Sequence, residues 1–206
     1  MDGVLADSEP LHQHVIREML AEYGVDWDIT RGDPTVGLRS LDGFELICAR
    51  HRLPHDARRL DALYTARVLP TLRERLRPLA GVPDVPRALV ARGLRLAVGS
   101  SSNPEVIETT LATLGVRELF DAVVSGAEVE RGKPAPDVFL EAAKRLGVAP
   151  GACLVIEDSE RGVKAAHAAG MRCVAIPCGE TRDHDFSDAT LVLPALPDLL
   201  RSPLLT

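Results

Sequence analysis

The sequence predicts an α/β fold with a mainly parallel sheet, interrupted near its start by an all-helical insertion. Two observations carry this. From residue 82 onward, short apolar runs alternate with amphipathic stretches at the spacing of strand–helix units. Residues 10–77, by contrast, show only helical periodicity.

The elements follow in order. Residues 9–23 place Leu11, Val15, Met19 and Leu20 on one stripe, and Gly24 stops the run. Helices are expected over 41–52 and 56–75, separated by Leu53-Pro54-His55 and ending near Arg77-Pro78. A helix over 83–92 ends at Gly93, and the run at 94–99 reads as a buried strand. Pro104 suits the first turn of a helix over 103–114, with Ser102 or Asn103 as its cap. Strands at 121–125, 153–157, 172–177 and 190–193 alternate with helices at 136–146 and 159–169.

Composition narrows the function. The 206 residues suit one domain, or one plus a sizeable insertion, at a prior of ~150 residues per domain. The 24 basic and 30 acidic residues give a net charge of −6, which argues against an electrostatic nucleic-acid binder. No apolar run approaches the ~20 residues of a membrane span. The start, MDGVLADSEP, has neither the basic nor the long apolar region of a leader. Cys48, Cys153, Cys173 and Cys178 form no CxxC pair, so buried free thiols in a cytoplasmic protein are expected, with a Cys173–Cys178 crosslink as the alternative. His51 and His55 have i,i+4 spacing, but Pro54 disfavours a shared helix face and hence a histidine metal site.

In open α/β sheets ligands bind beyond the carboxyl ends of the strands. Four polar clusters stand at such places: Asp2 to Ser8 before the first helix, Ser100 to Ser102, Lys133 in a Gly-Lys-Pro loop, and Glu157-Asp158. Singly, each reads as a helix cap, a turn or a surface lysine. Together they supply carboxylates suited to Mg²⁺ and a lysine and hydroxyl suited to phosphate, the requirements of metal-assisted phosphoryl transfer.

The segments DGVLADSEPLH at 2–12, LAVGSSS at 96–102, RGKPAPDVF at 131–139 and VIEDSERGVKAAHAAGM at 155–171 resemble the haloacid dehalogenase-like hydrolases, in particular the branch of β-phosphoglucomutase-like proteins and sugar-phosphate phosphatases. The resemblance implies a Rossmann-like core over 1–9 and 78–206, a helical cap over 10–77, a Mg²⁺ cofactor and a small phosphorylated metabolite as substrate, in a monomer. It assigns Asp2 as the acid/base and Ser100, with the Ser101 backbone, as holders of the phosphoryl group. It makes Lys133 the cation that offsets phosphate charge. Asp158 becomes a direct Mg²⁺ ligand, Glu157 a ligand through water, and the Asp2 position the source of a carbonyl ligand. His12 and Arg39 are candidates for reading the substrate.

The family pattern is a strand followed by Asp-x-Asp-Gly. Here Met1 stands at x, so the nucleophilic aspartate would precede Met1, as would the first core strand. The expectation is that Met1 is internal to a longer protein and that a chain starting there is inactive. The alternatives are a β-phosphoglucomutase, disfavoured because Arg39 is offset by one from the mutase arginine, and a non-catalytic phosphometabolite-binding protein. A proton-donating Asp2 needs a raised pKa, which closure of the cap could provide.

Overall fold

The computed structural model describes residues 1–27, 34–53 and 56–205. Pro54 and His55 lie outside the described residues, and with them the break between the second and third helices and the His51–His55 pair.

Three helices come first: α1 (Glu9–Ala21), α2 (Ser40–His51) and α3 (Ala57–Arg75). α1 forms because its apolar residues recur at helical spacing and Pro10 occupies the first turn, where its missing N–H costs nothing. α3 buries Leu60, Tyr64, Val68 and Leu72, one residue per turn on one side. These side chains pack with Met19, Leu20, Phe44 and Ile47 into one cluster that also takes in Val106. The chain enters and leaves this helical layer at adjacent points, since Asp7 N–H donates to Arg77 C=O (3.2 Å) and Leu79 N–H to Leu5 C=O (3.0 Å). An insertion needs such closely spaced ends. Leu72, fully buried in that cluster, is the test of its weight. Leu72→Ala is expected to cost about 2–5 kcal/mol, measured by urea denaturation.

The second part alternates α4 (Asp84–Ala91), β1 (Ala97–Ser100), α5 (Pro104–Thr113), β2 (Ala122–Ser125), α6 (Asp137–Leu146), β3 (Leu154–Glu157), α7 (Glu160–Ala168), β4 (Arg172–Ala175) and β5 (Leu191–Val192). Every ladder is parallel, as expected, but the strands fall into two groups, β1–β2 and β3–β4–β5. Among the described residues no ladder joins β1 to β3.

Two expectations need correction. The strand expected over 94–99 begins only at Ala97: Leu94 is exposed, Arg95 pairs with Asp121 in solvent, and the Asp121 carboxylate, rather than a strand, accepts from Leu96 N–H. The four cysteines are free, so the Cys173–Cys178 crosslink is not formed, and only Cys173 is fully buried. No helix among the described residues is long and apolar enough to cross a membrane.

Candidate active site

The carboxyl ends of β1 and β3, the turn at Asp2 and the helical layer line one cavity of about 150 Å³. All the predicted site residues, Asp2, His12, Arg39, Ser100, Ser101, Lys133, Glu157 and Asp158, stand on its wall.

Lys133 is the hub. Its ammonium donates to Gly99 C=O on β1 (3.3 Å) and to Glu157 at the end of β3, and lies 4.6 Å from the Phe139 ring centre. Both members of the Lys133–Glu157 pair are buried. Such a pair holds only when the remaining polar atoms are satisfied. Here the second Glu157 oxygen accepts from Asp158 N–H, Ser159 N–H and the Ser159 hydroxyl. Withdrawal from water pushes the Glu157 carboxyl up, but the Lys133 charge and the hydrogen bonds outweigh it and hold the pKa low. Ser159 also caps α7 by accepting from Gly162 N–H. Gly162 is glycine because any Cβ there would overlap the Glu157 carboxylate.

Asp158 faces the opposite balance. Burial and the neighbouring Glu157 charge raise its pKa, and among the described residues its side-chain donor is the Cys178 thiol at 3.4 Å. Gly3, at φ +67°, brings the turn against it so closely that a Cβ would overlap the carboxylate.

Asp2 sits in that same turn. Its carboxylate accepts from the Ser8 hydroxyl (2.5 Å) and the Ser102 hydroxyl (3.1 Å), and His12 Nε2 stands 3.5 Å away. The raised pKa expected of Asp2 is not found. Burial does push it up, but the hydrogen bond and charge of His12 and the hydrogen bond of Ser8 oppose it, and the carboxyl is held well below the usual range. His12 moves the other way, its burial more than offset by the carboxylates of Asp2 and Glu9. The other ring nitrogen, Nδ1, is 2.7 Å from the buried Tyr64 hydroxyl. His12, a candidate because the resemblance places a histidine near the position assigned to the acid/base, lies beside Asp2.

Ser100 ends β1 buried, its hydroxyl accepting from Ser102 N–H (3.2 Å). The Ser101 hydroxyl is turned to the helical layer and donates to Gly37 C=O (3.0 Å). Asn103 flanks α5 without a side-chain cap; its amide instead reaches Asp61 and Thr65 of α3 (both 2.9 Å). The Ser100–Asn103 loop is therefore tied to the helical layer on two sides.

Tyr64 was missed in the sequence, whereas Ser8 and Ser102 stand within the clusters singled out there, read as caps rather than as partners of Asp2. Tyr64 had a signal: it is the one polar-tipped side chain in the stripe Leu60, Tyr64, Val68, Leu72, and a buried tyrosine hydroxyl needs a partner.

Residues 1–170 match the family model described as haloacid dehalogenase-like hydrolase. The chain belongs to the haloacid dehalogenase-like hydrolases. Within this family it is 38% identical over 181 residues to fructose-1-phosphate phosphatase YqaB of Escherichia coli, covering 85% of this chain and 93% of that one. It is 35% identical over 207 residues to protein CbbY of Rhodobacter capsulatus, covering 95% and 91%. The crystal structure of CbbY from Rhodobacter sphaeroides in complex with phosphate superposes with a TM-score of 0.86 at 28% identity, covering 97% of this chain and 93% of that one.

Proposed function

We propose that the protein is a Mg²⁺-dependent phosphatase of a small sugar phosphate, acting through an aspartyl-phosphate. The observation that supports this most is the Lys133 ammonium, buried between β1 and β3 and flanked by Ser100, Asp2 and Asp158 around a single cavity. A phosphate monoester brings two negative charges, and Lys133 with the Ser100 hydroxyl supplies the fixed positive charge and donor that can hold them. Relatives named as a fructose-1-phosphate phosphatase and as hexitol phosphatase B, the latter 33% identical over 208 residues, support sugar phosphates as the class.

The nucleophile in this reading is an aspartate two residues ahead of Asp2, directly before Met1. The split between β1–β2 and β3–β4–β5 accords with a further strand leading to it. Asp2 protonates the leaving oxygen as the phosphoryl group transfers, then takes a proton from the water that releases phosphate. Held low in the free protein, it must gain its proton as substrate displaces the contacts of Ser8 and His12.

Asp158 and a backbone carbonyl of the Asp2 turn are the groups that would hold Mg²⁺. Among the described residues no three acidic, histidine or cysteine side chains are grouped to hold a metal. That is compatible with Mg²⁺, which commonly takes one or two carboxylates and completes its shell with water and phosphate. What supports the fit is Asp158, whose carboxyl lies next to Glu157, with the Cys178 thiol as its side-chain donor among the described residues and a raised pKa that a cation would reverse. The metal supplies charge neutralisation that lets a carboxylate approach a phosphate.

The test is phosphate release from a panel of hexose and hexitol phosphates by protein carrying Asp directly ahead of Met1. Release that requires Mg²⁺, and is absent from a chain starting at Met1, is expected. No Mg²⁺-dependent release from any of the panel would refute the phosphatase reading.

A further inference from the structure

The proposed reaction leaves the buried Tyr64 hydroxyl without a role. The side chain sits on α3, its ring centre 5.4 Å from that of Phe44 and 6.1 Å from that of His12. The hydroxyl meets His12 Nδ1 at 2.7 Å. Burial and the carboxylates of Asp2, Glu9 and Asp61 push the phenol's pKa well above its ordinary value, so the hydroxyl keeps its hydrogen. A buried hydroxyl gives that hydrogen to an acceptor within reach. Nδ1 is therefore the acceptor, and the hydrogen of the neutral ring sits on Nε2. When the ring takes a second proton, Tyr64 turns to accept from Nδ1, and Nε2 keeps its hydrogen.

His12 Nε2 is buried, and its contact with Asp2 Oδ1, at 3.5 Å, is too long to be more than a weak hydrogen bond. That oxygen already accepts from the Ser8 hydroxyl at 2.5 Å. His12, Tyr64 and Asp2 line the same cavity. A buried N–H so weakly held gains from a ligand oxygen at shorter range. The site thus carries a donor beside the acid/base, where the oxygen that Asp2 protonates must come. Its placement is also tied to the α/β part. Tyr64 lies between Asp61 and Thr65 on α3, and the Asn103 amide reaches both of those side chains at 2.9 Å.

We infer that Tyr64 is a positioning residue: through His12 Nδ1 it holds the Nε2–H towards the leaving oxygen of the substrate while Asp2 delivers the proton. This rests on the phosphatase reading and deepens it. The phosphoryl group passes to the nucleophilic aspartate. The electron pair of the broken P–O bond goes to the leaving oxygen, and the proton that oxygen gains comes from Asp2. His12 and Tyr64 keep their hydrogens. Negative charge on the leaving oxygen is greatest in the transition state, so the donor contributes more there than in the bound substrate.

The test has two arms. NMR of the 206-residue protein with ¹⁵N-labelled histidine reads the contact itself. Tyr64→Phe should shift the His12 Nδ1 signal, assigned by its loss in His12→Gln, and leave that of His184, which meets Glu160 N–H, in place. An unmoved His12 signal would overturn the inference. Kinetics of protein carrying Asp directly ahead of Met1, on the best-cleaved of the hexose and hexitol phosphates, read the consequence. Tyr64→Phe is expected to lower kcat about tenfold with KM steady, the worth of one hydrogen bond realised in the transition state. His12→Gln should lower kcat at least as far, and the double variant no further than His12→Gln alone, because Tyr64 acts through His12. Fully additive effects, or a Tyr64→Phe protein at the parental kcat, would overturn the inference. Leu60→Val trims the same buried side of α3 without touching the hydroxyl and should keep the parental kcat. An equal fall there would reduce Tyr64 to packing and overturn the inference too. No phosphate release by the unsubstituted protein would overturn the phosphatase reading and the catalytic part given to Tyr64, while the nitrogen signals still decide whether Tyr64 holds His12.

Discussion

Lys133→Met is expected to abolish phosphate release and to destabilise the fold by about 3–5 kcal/mol, the cost of leaving one member of a buried ion pair alone. The two effects have one cause. The ammonium that would neutralise substrate charge is also the partner of the buried Glu157 carboxylate and a donor to Gly99 C=O. Removing it strands the carboxylate at the end of β3, where Ser159 and two backbone N–H groups remain its donors. Adding Glu157→Gln removes the stranded charge, so the double variant should regain most of the stability and none of the activity. Thermal and urea denaturation measure the first effect, and inorganic phosphate release the second. A Lys133→Met protein of parental stability would contradict the packing described for this pair.

Asp2→Asn is expected to lower kcat by about a hundredfold to ten-thousandfold, the usual range for loss of a positioned general acid/base. The amide has nearly the shape of the carboxylate; Ser8 and Ser102 meet different oxygens of Asp2, so the amide oxygen can accept from one hydroxyl and the amide NH2 can donate to the other. Stability and KM should therefore change little. A fall in kcat with KM steady separates lost proton transfer from lost binding. Turnover at the parental rate would remove Asp2 from the chemistry.

The order of elements was legible in the sequence because the second part of the chain is punctuated clearly. Glycines close its helices, Pro104 opens α5, and each strand is a short apolar run. Strand limits were less legible: Leu94 is apolar but exposed, and an aspartate side chain takes the place of a ladder bond at Leu96. The 3₁₀ turns, such as Gly126–Glu128 and Leu196–Arg201, escaped because a single turn leaves no periodicity to read.

The cluster of Ser100, Lys133, Glu157 and Asp158 was foreseeable because the strand-end rule gathers residues far apart in sequence at one edge. The finer electrostatics were not. The low pKa of Asp2 depends on His12 arriving from α1, and that of Glu157 on Lys133 arriving from a loop 24 residues away. Neither encounter is written in local spacing. Arg39 illustrates the same limit. Its position between α1 and α2 suggested a substrate grip, whereas its Nη1 donates to the carbonyls of Val129 and Glu130 and its stem lies against Gly126 and Gly132. Tertiary packing decides which of two plausible partners a guanidinium takes.

The chemistry is tested most directly by the mass of the protein quenched in acid during turnover of fructose 1-phosphate. The protein used carries Asp ahead of Met1, and the quench is timed within the first turnover. The expected result is a protein heavier by one phosphoryl group, with fragmentation locating that group on the aspartate before Met1. Turnover that proceeds with no phosphorylated protein at any time within the first turnover would contradict the covalent route and the roles assigned to Asp2 and Lys133 along it.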